Sequence, residues 1–341
     1  MLALSSKDRV MLALKGKKDE IDRTPVTCAN QTVTVEQMDN LGIYWPEGHS
    51  DAEKMAQLGM AAYKQCGLEV VDAPFDQAVE AEILGCEVDL GKKKESIPSV
   101  PFHGYKEPGD VPIPEDFLEK GRIPTVLKAI EIMKKDVGEE APVISHTNGP
   151  FSLAGHLGEI NKILIMILRT PEKVKEFAEI GIDLIADYAN AQFDAGADVV
   201  TVEDMLASTD ILSPQMYDDF AAPFNTACIK KIKGPTILHV CGKGDLIVES
   251  MISSGATNIS VDMATDLNKA IPKTRGRCTI MGSVDTIKAL FQGTPEIVRE
   301  QVISNIRQGV DLVAPGCALS PLTKSELIKA MVDASIEYFA E

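Results

Sequence analysis

His239-Val240-Cys241 and the distant Cys317, which follows Pro315-Gly316, are the side chains of this sequence best suited to act together. In extended backbone, residues i and i+2 project to the same side, so His239 and Cys241 can converge on one ion. One imidazole and two thiolates form a soft donor set whose natural partner is Zn²⁺, with the fourth tetrahedral position open. H-x-C alone is a weak signal, because cysteine is commonly buried as a small apolar side chain. Placement of both cysteines at strand ends strengthens it. The remaining members of the seven cysteines offer less. Cys278 begins a strand and so belongs to the opposite face. Cys66 and Cys228 lie in helical patterns and read as packing residues, and Cys86 falls in no clear element. Cys28, ending the first strand, is the one credible spare ligand.

Other residues are expected near the same end of the fold. His146-Thr147-Asn148-Gly149-Pro150 leads into a helix whose exposed N–H groups could hold an anion, although a tight turn explains it equally well. Glu203 and Asp262 each follow a strand and could ligate a metal or accept hydrogen bonds. With 51 Asp and Glu in the chain, a solvated role is their default. Lys92-Lys93-Lys94 reads as a solvated loop, and His49, His103 and His156 form no metal-like spacing. P-loop, G-x-G-x-x-G and G-x-S-x-G motifs are all missing from the sequence. Two thiolates neutralise the charge of Zn²⁺, and the paired carboxylate base of a zinc hydrolase is not evident. The residues therefore point to an enzyme that activates a substrate thiol for alkyl transfer.

The elements that must position these groups alternate. Gly67, Gly196, Gly255 and Gly309 each separate a helical stretch from a β-rich run, as helix-ending glycines do. Thr170-Pro171, Ser213-Pro214, Thr294-Pro295 and Ser320-Pro321 each set a capping hydroxyl before a proline suited to the first helical position. Strands are expected at 24–29, 68–73, 141–147, 197–203, 235–240, 257–262, 278–283 and 310–315, with helices at 52–66, 121–136, 171–195, 214–232, 243–254, 295–308 and 322–339. Near-continuous apolar runs such as Pro235-Thr236-Ile237-Leu238 suit parallel strands buried on both faces. The pattern predicts a (β/α)8 TIM barrel, whose catalytic groups gather at the C-terminal mouth. One stretch breaks the rhythm: six of the 19 prolines, Pro98 among them, fall within 98–124. We expect one barrel domain over 1–341, with an elaborated segment after the second strand and an irregular Pro-rich insertion around 75–120.

The 341 residues are 45% hydrophobic and 25% charged, a globular balance. A net charge of −17 disfavours nucleic acid and anionic membrane as main partners. The longest aliphatic run, Ile163 to Leu168, is far short of the roughly 20 residues of a membrane span. Met1 to Lys7 carry no secretory pattern, so the expected location is cytoplasmic.

On these residues the chain resembles the uroporphyrinogen decarboxylase superfamily, and within it the methylcobamide:coenzyme M methyltransferases of methylotrophic methanogens. Asn148-Gly149-Pro150-Phe151-Ser152-Leu153 and Ser208-Thr209-Asp210-Ile211-Leu212-Ser213-Pro214 mark the superfamily. His239-x-Cys241 with Cys317 is the zinc pattern of its thiol-methylating branch. The resemblance implies a barrel holding one Zn²⁺ through His239, Cys241 and Cys317. It implies coenzyme M as methyl acceptor and a methyl-Co(III) corrinoid, carried by a partner protein docking at the barrel mouth, as donor. Methanol is preferred over methylamines as the origin of the methyl group. The sulfonate of coenzyme M is expected at the helix N-terminus after Asn148 and Gly149, with Lys243 as the second candidate. The competing decarboxylase branch resembles metal-free enzymes with an arginine-bearing segment after the first strand. Here that place reads Thr27-Cys28-Ala29-Asn30-Gln31-Thr32-Val33, without arginine. A non-catalytic corrinoid- or zinc-binding barrel is the remaining alternative.

Overall fold

The computed structural model describes residues 4–94, 99–102 and 104–340; Met1, Pro98 and His103 lie outside them. Strands β1 (Val71–Ala73), β4 (Val143–Asn148), β5 (Val199–Glu203), β6 (Thr236–Val240), β7 (Asn258–Val261), β8 (Thr279–Val284) and β9 (Leu312–Pro315) form one parallel sheet in that order. The antiparallel pair β2 (Glu87–Asp89) and β3 (Ser99–Phe102) stands apart from it.

Closure comes from residues 25–27, the core of the expected first strand. Thr27 N donates to Val313 O at 2.9 Å, Val313 N to Pro25 O at 2.9 Å, and Glu69 N to Val26 O at 2.9 Å. This short stave therefore bonds to β9 on one side and to the chain entering β1 on the other, which completes the (β/α)8 barrel. The barrel strands are almost wholly buried on both faces, as their apolar runs require.

Helix punctuation follows the sequence with instructive exceptions. Gly67 and Gly309 cap helices with φ of 75° and 98°, a conformation that costs glycine little. Ser213 accepts from Met216 N at 3.2 Å and starts Pro214–Phe220. The expected 214–232 helix breaks at Ala221, because Pro223 in the next turn has no N–H to continue the ladder. Ser320-Pro321 starts no helix; its hydroxyl closes a turn ahead of Ser325–Ala340. Leu267–Thr274, which carries Pro272 inside it, was not expected as a helix. The insertion holds the helix Val79–Ile83, the β2–β3 hairpin and 3₁₀ turns at Pro108–Asp110 and Phe117–Glu119. Among the described residues no single helix is long and apolar enough to cross a membrane. The run from Ile163 to Leu168 lies in Ile160–Arg169, bent 102° from Pro150–Gly158.

Candidate metal centre and its surroundings

Parallel register fixes the site. Asn148 on β4 pairs with Glu203 on β5, Glu203 with His239 on β6, and His239 with Ser260 on β7. Four inward-facing side chains thus share one level at the C-terminal end of the barrel. Cys241 stands one residue past β6, and Cys317 stands two past β9.

The ligand atoms of His239, Cys241 and Cys317 all lie within 4.8 Å of one another. Cys241 Sγ is 3.4 Å from His239 Nε2 and 3.6 Å from Cys317 Sγ. A tetrahedral Zn²⁺ with ordinary bond lengths spaces such atoms ~3.5–3.8 Å apart, so the donor set fits the ion. His239 Nδ1 lies 3.0 Å from Ser260 Oγ. With the ring proton on Nδ1 donated to that hydroxyl, Nε2 is left with its lone pair toward the two sulfurs. The hydrogen bond from Cys241 holds the pKa of the Cys317 thiol well below the ordinary range despite its burial. The same contact, with Cys317 as the charged partner, keeps Cys241 protonated. One proton shared between two thiols is what a cation would displace.

Glu203 is fully buried. Its carboxylate accepts from Asn30 Nδ2 at 2.9 Å, Gln31 Nε2 at 3.2 Å and Gln77 Nε2 at 3.0 Å. His146 lies between it and Asp72, with ring nitrogens 3.3 Å from Glu203 Oε1 and 3.4 Å from Asp72 Oδ2. Burial raises the pKa of Glu203, opposed by the charges of His146 and His239. Burial would lower that of His146, but the two carboxylates reverse the sign and raise it. Asp262 is half-buried, and its Oδ1 accepts from Ala264 N at 2.7 Å. Burial raises its pKa as well.

The remaining expected residues are placed as follows. Asn148 gives its backbone N–H and its amide to Glu80, at 2.8 and 2.7 Å. At Gly149 a Cβ would come within 2.4 Å of the Asp204 side chain. Asp204 itself accepts from Ser152 N at 2.7 Å and Ser152 Oγ at 2.8 Å. The anion-binding end of Pro150–Gly158 thus already holds the protein's own carboxylate. Lys243 is exposed, in the loop directly after Cys241-Gly242. Cys28 is completely buried, outside the three-residue cluster, and burial pushes its thiol pKa up. Cys66, Cys86 and Cys228 are buried and free, while Cys278 and the two candidate ligand cysteines are half-buried.

Sequence reasoning missed Asp72, Ser260, Asn30, Gln31 and Gln77 as site residues. Four neutral side chains and one carboxylate, scattered over separate strands and loops, carry no spacing signal. Only register across the finished sheet unites them.

A cavity of about 480 Å³ adjoins the centre. Gln31 and Gln77 stand on one side and Ala318 and Leu319, next to Cys317, on another, with Trp45 and Phe75 as aromatic walls. Among the described residues that line it there is neither Lys nor Arg. Asp76, which borders it, is bound by both Arg122 guanidinium nitrogens at 2.7 and 2.9 Å.

Residues 5–338 match the uroporphyrinogen decarboxylase (URO-D) family. A methylcobamide:CoM methyltransferase, MtaA of Methanosarcina barkeri, is 33% identical over the whole of both chains. MtbA of Methanosarcina acetivorans, of the same printed activity, is 34% identical over 99% of each chain. The solved structure of a methyltransferase from Methanosarcina mazei superimposes with a TM-score of 0.93 at 32% identity, covering 98% of this chain and 99% of that one.

Proposed function

The chain belongs to the uroporphyrinogen decarboxylase family and, within it, to the methylcobamide:coenzyme M methyltransferases, and on that premise we propose that it transfers a methyl group from a corrinoid-bound donor to the thiol of coenzyme M. In that transfer the sulfur–carbon bond forms as the cobalt–carbon bond breaks, and cobalt keeps the electron pair. Methyl-Co(III) becomes Co(I), and the thiol proton passes to solvent. A corrinoid-carrying partner protein docks at the barrel mouth, with methanol preferred as the origin of the methyl group.

The observation that carries this reading is the spacing of His239, Cys241 and Cys317, 3.4 and 3.6 Å along Cys241 Sγ. These residues would hold Zn²⁺, which supplies a Lewis acid that keeps a substrate thiol deprotonated near neutral pH while leaving it nucleophilic. Ser260 fixes the imidazole tautomer. The amides of Asn30, Gln31 and Gln77 hold the Glu203 carboxylate in place beside the ligands. The apolar walls of the neighbouring cavity limit water at the sulfur. We assign the sulfonate to Lys243, since the helix end after Gly149 is filled by Asp204.

A tetrapyrrole bearing many carboxylates would find neither Lys nor Arg among the described residues lining this cavity. That disfavours the decarboxylase alternative.

Incubation of the purified protein with methylcobalamin and coenzyme M should yield methyl-coenzyme M. Cys317→Ala should lose both the zinc and the activity, by at least ~100-fold in metal affinity. Protein that turns over without zinc, or a Cys317→Ala variant that keeps full zinc affinity, sinks the proposal. A barrel that binds zinc but forms no product would support the non-catalytic alternative.

A further inference from the structure

The cavity of about 480 Å³ beside the metal centre is larger and less polar than coenzyme M requires. Volumes of this size take drug-sized ligands, and a whole corrinoid is far larger than those. Coenzyme M, with its sulfur at His239, Cys241 and Cys317 and its sulfonate toward Lys243, leaves the space unfilled. Lys243 is not among the described residues that line it. Trp45, Phe75, Val100, Met205, Leu319 and Pro321 are. An ion gains nothing from such walls, whereas each methylene carried into them is worth roughly fourfold in affinity.

Three polar side chains of the lining are already committed within the protein. Gln31 and Gln77 donate to the Glu203 carboxylate at 3.2 and 3.0 Å. Asp76 is held by two Arg122 nitrogens at 2.7 and 2.9 Å, and His49 Nδ1 lies 3.0 Å from it. With these groups engaged, the cavity offers a ligand aromatic and aliphatic surface. Its inner end adjoins the centre. Ala318 and Leu319 follow Cys317 directly, and Leu319 N donates to Gln31 O at 3.1 Å, which ties that loop to the one after the closing stave.

We infer that the centre has a second class of methyl acceptor, an uncharged thiol with an aryl or branched-alkyl body, and that this body is seated in the cavity. The inference rests on the methyl-transfer reading and widens it. The thiol sulfur bonds to the methyl carbon as the cobalt–carbon bond breaks, Co(I) keeps the electron pair, and the thiol proton passes to solvent. The product is an apolar methyl thioether.

Trp45 is the chain's single tryptophan and only 5% exposed, so its emission reports on the cavity without turnover. The test is a titration of the zinc-loaded full-length protein with 2-phenylethanethiol and with ethanethiol, followed by an assay of each, and of coenzyme M, with methylcobalamin. A saturable change in emission is expected with 2-phenylethanethiol, at least about 10-fold tighter than with ethanethiol, together with formation of its methyl thioether. Val100 lies on the β2–β3 hairpin, outside the barrel sheet, so its substitution spares the barrel core. Val100→Phe, which fills part of the cavity, should weaken 2-phenylethanethiol by about 5-fold. Val100→Arg, which sets a cation in the wall, should weaken it by about 10-fold and lower the KM for coenzyme M. No saturable emission change, no tightening over ethanethiol, binding indifferent to both variants, or methyl-coenzyme M formed without any methyl thioether overturns the inference and leaves the proposed function standing. A protein that methylates none of the three thiols fails the methyl-transfer reading instead, and the emission titration still decides whether the cavity takes the apolar body.

Discussion

Glu69 and Glu203 are both fully buried carboxylates at opposite ends of the same barrel, and they are held in opposite ways. At the N-terminal end Glu69 is clamped by Arg9 and by Arg23, the latter at 2.6 Å, and it accepts from Val26 N at 2.9 Å. Arg9 is in turn bidentate to Asp22 at 2.6 and 2.9 Å. Permanent cations neutralise this carboxylate and staple the closing stave to the sheet. At the mouth, Glu203 has three amides and a histidine, and none of the partners described for it is an Arg or Lys. Arginine stays charged at every working pH, whereas amides and imidazole respond to what is bound nearby. The bottom is built to stay closed, and the mouth keeps its charge adjustable.

The sharpest way to break this comparison is to remove the clamp. Arg9→Met strands Glu69 and Asp22 without their shared cation, and loss of one partner of a buried pair costs about 3–5 kcal/mol. Urea unfolding should show that loss, while zinc content and substrate KM stay at wild-type levels. An equal loss of zinc would mean the two ends are not separable.

Glu80 provides the mouth's counterpart in pH. Burial pushes its pKa up to about 7, although Asn148 donates to it twice. A raised carboxyl pKa means that the folded chain binds the proton more tightly than the unfolded chain. Its contribution is therefore full below the model-peptide value of about 4.5 and is lost as pH rises through 7. Glu80→Gln should remove that slope: relative to the variant, the wild type should lose on the order of 3 kcal/mol between pH 4.5 and 7.5. Thermal unfolding of both proteins across this range is the measurement. Parallel pH profiles would show that Glu80 ionises freely in the fold.

Glu203→Gln should act on function rather than on stability. It removes a desolvated charge, so unfolding should shift by less than about 1 kcal/mol. Zinc affinity or methyl transfer should fall by about 10- to 100-fold, as for groups that support metal ligands. A variant as active as the wild type would reduce Glu203 to a structural carboxylate.

The approach of His239, Cys241 and Cys317 to one another was legible because such a donor set is rare and its members sit at strand ends that glycine and apolar runs betray. The barrel was legible for the same reason. Its first strand shrank to residues 25–27 because only Val26 and its neighbours bond to both sides. The expectation of an anion at Asn148-Gly149 had the right local motif and the wrong occupant. Asp204, 52 residues from Ser152 in sequence, fills that helix end, and nothing in the local residues announces it. The carboxylate clusters were invisible for a related reason. In a chain with 51 acidic residues, no spacing separates Glu69 and Glu203 from their solvated neighbours.

Lys243 gives the smallest effect and the finest distinction. It is exposed, so solvent and salt screen whatever it does for a sulfonate. Lys243→Ala should raise the KM for coenzyme M by up to about 5-fold at low salt and leave kcat unchanged, because the sulfonate carries the same charge before and during transfer. The difference from wild type should shrink as ionic strength rises from 0.05 to about 0.5 M, where the Debye length falls to a few ångströms. A fall in kcat at constant KM would place Lys243 against the methyl donor instead. Lys243 would then face the corrinoid side, and the acceptor would be held by zinc and the apolar walls.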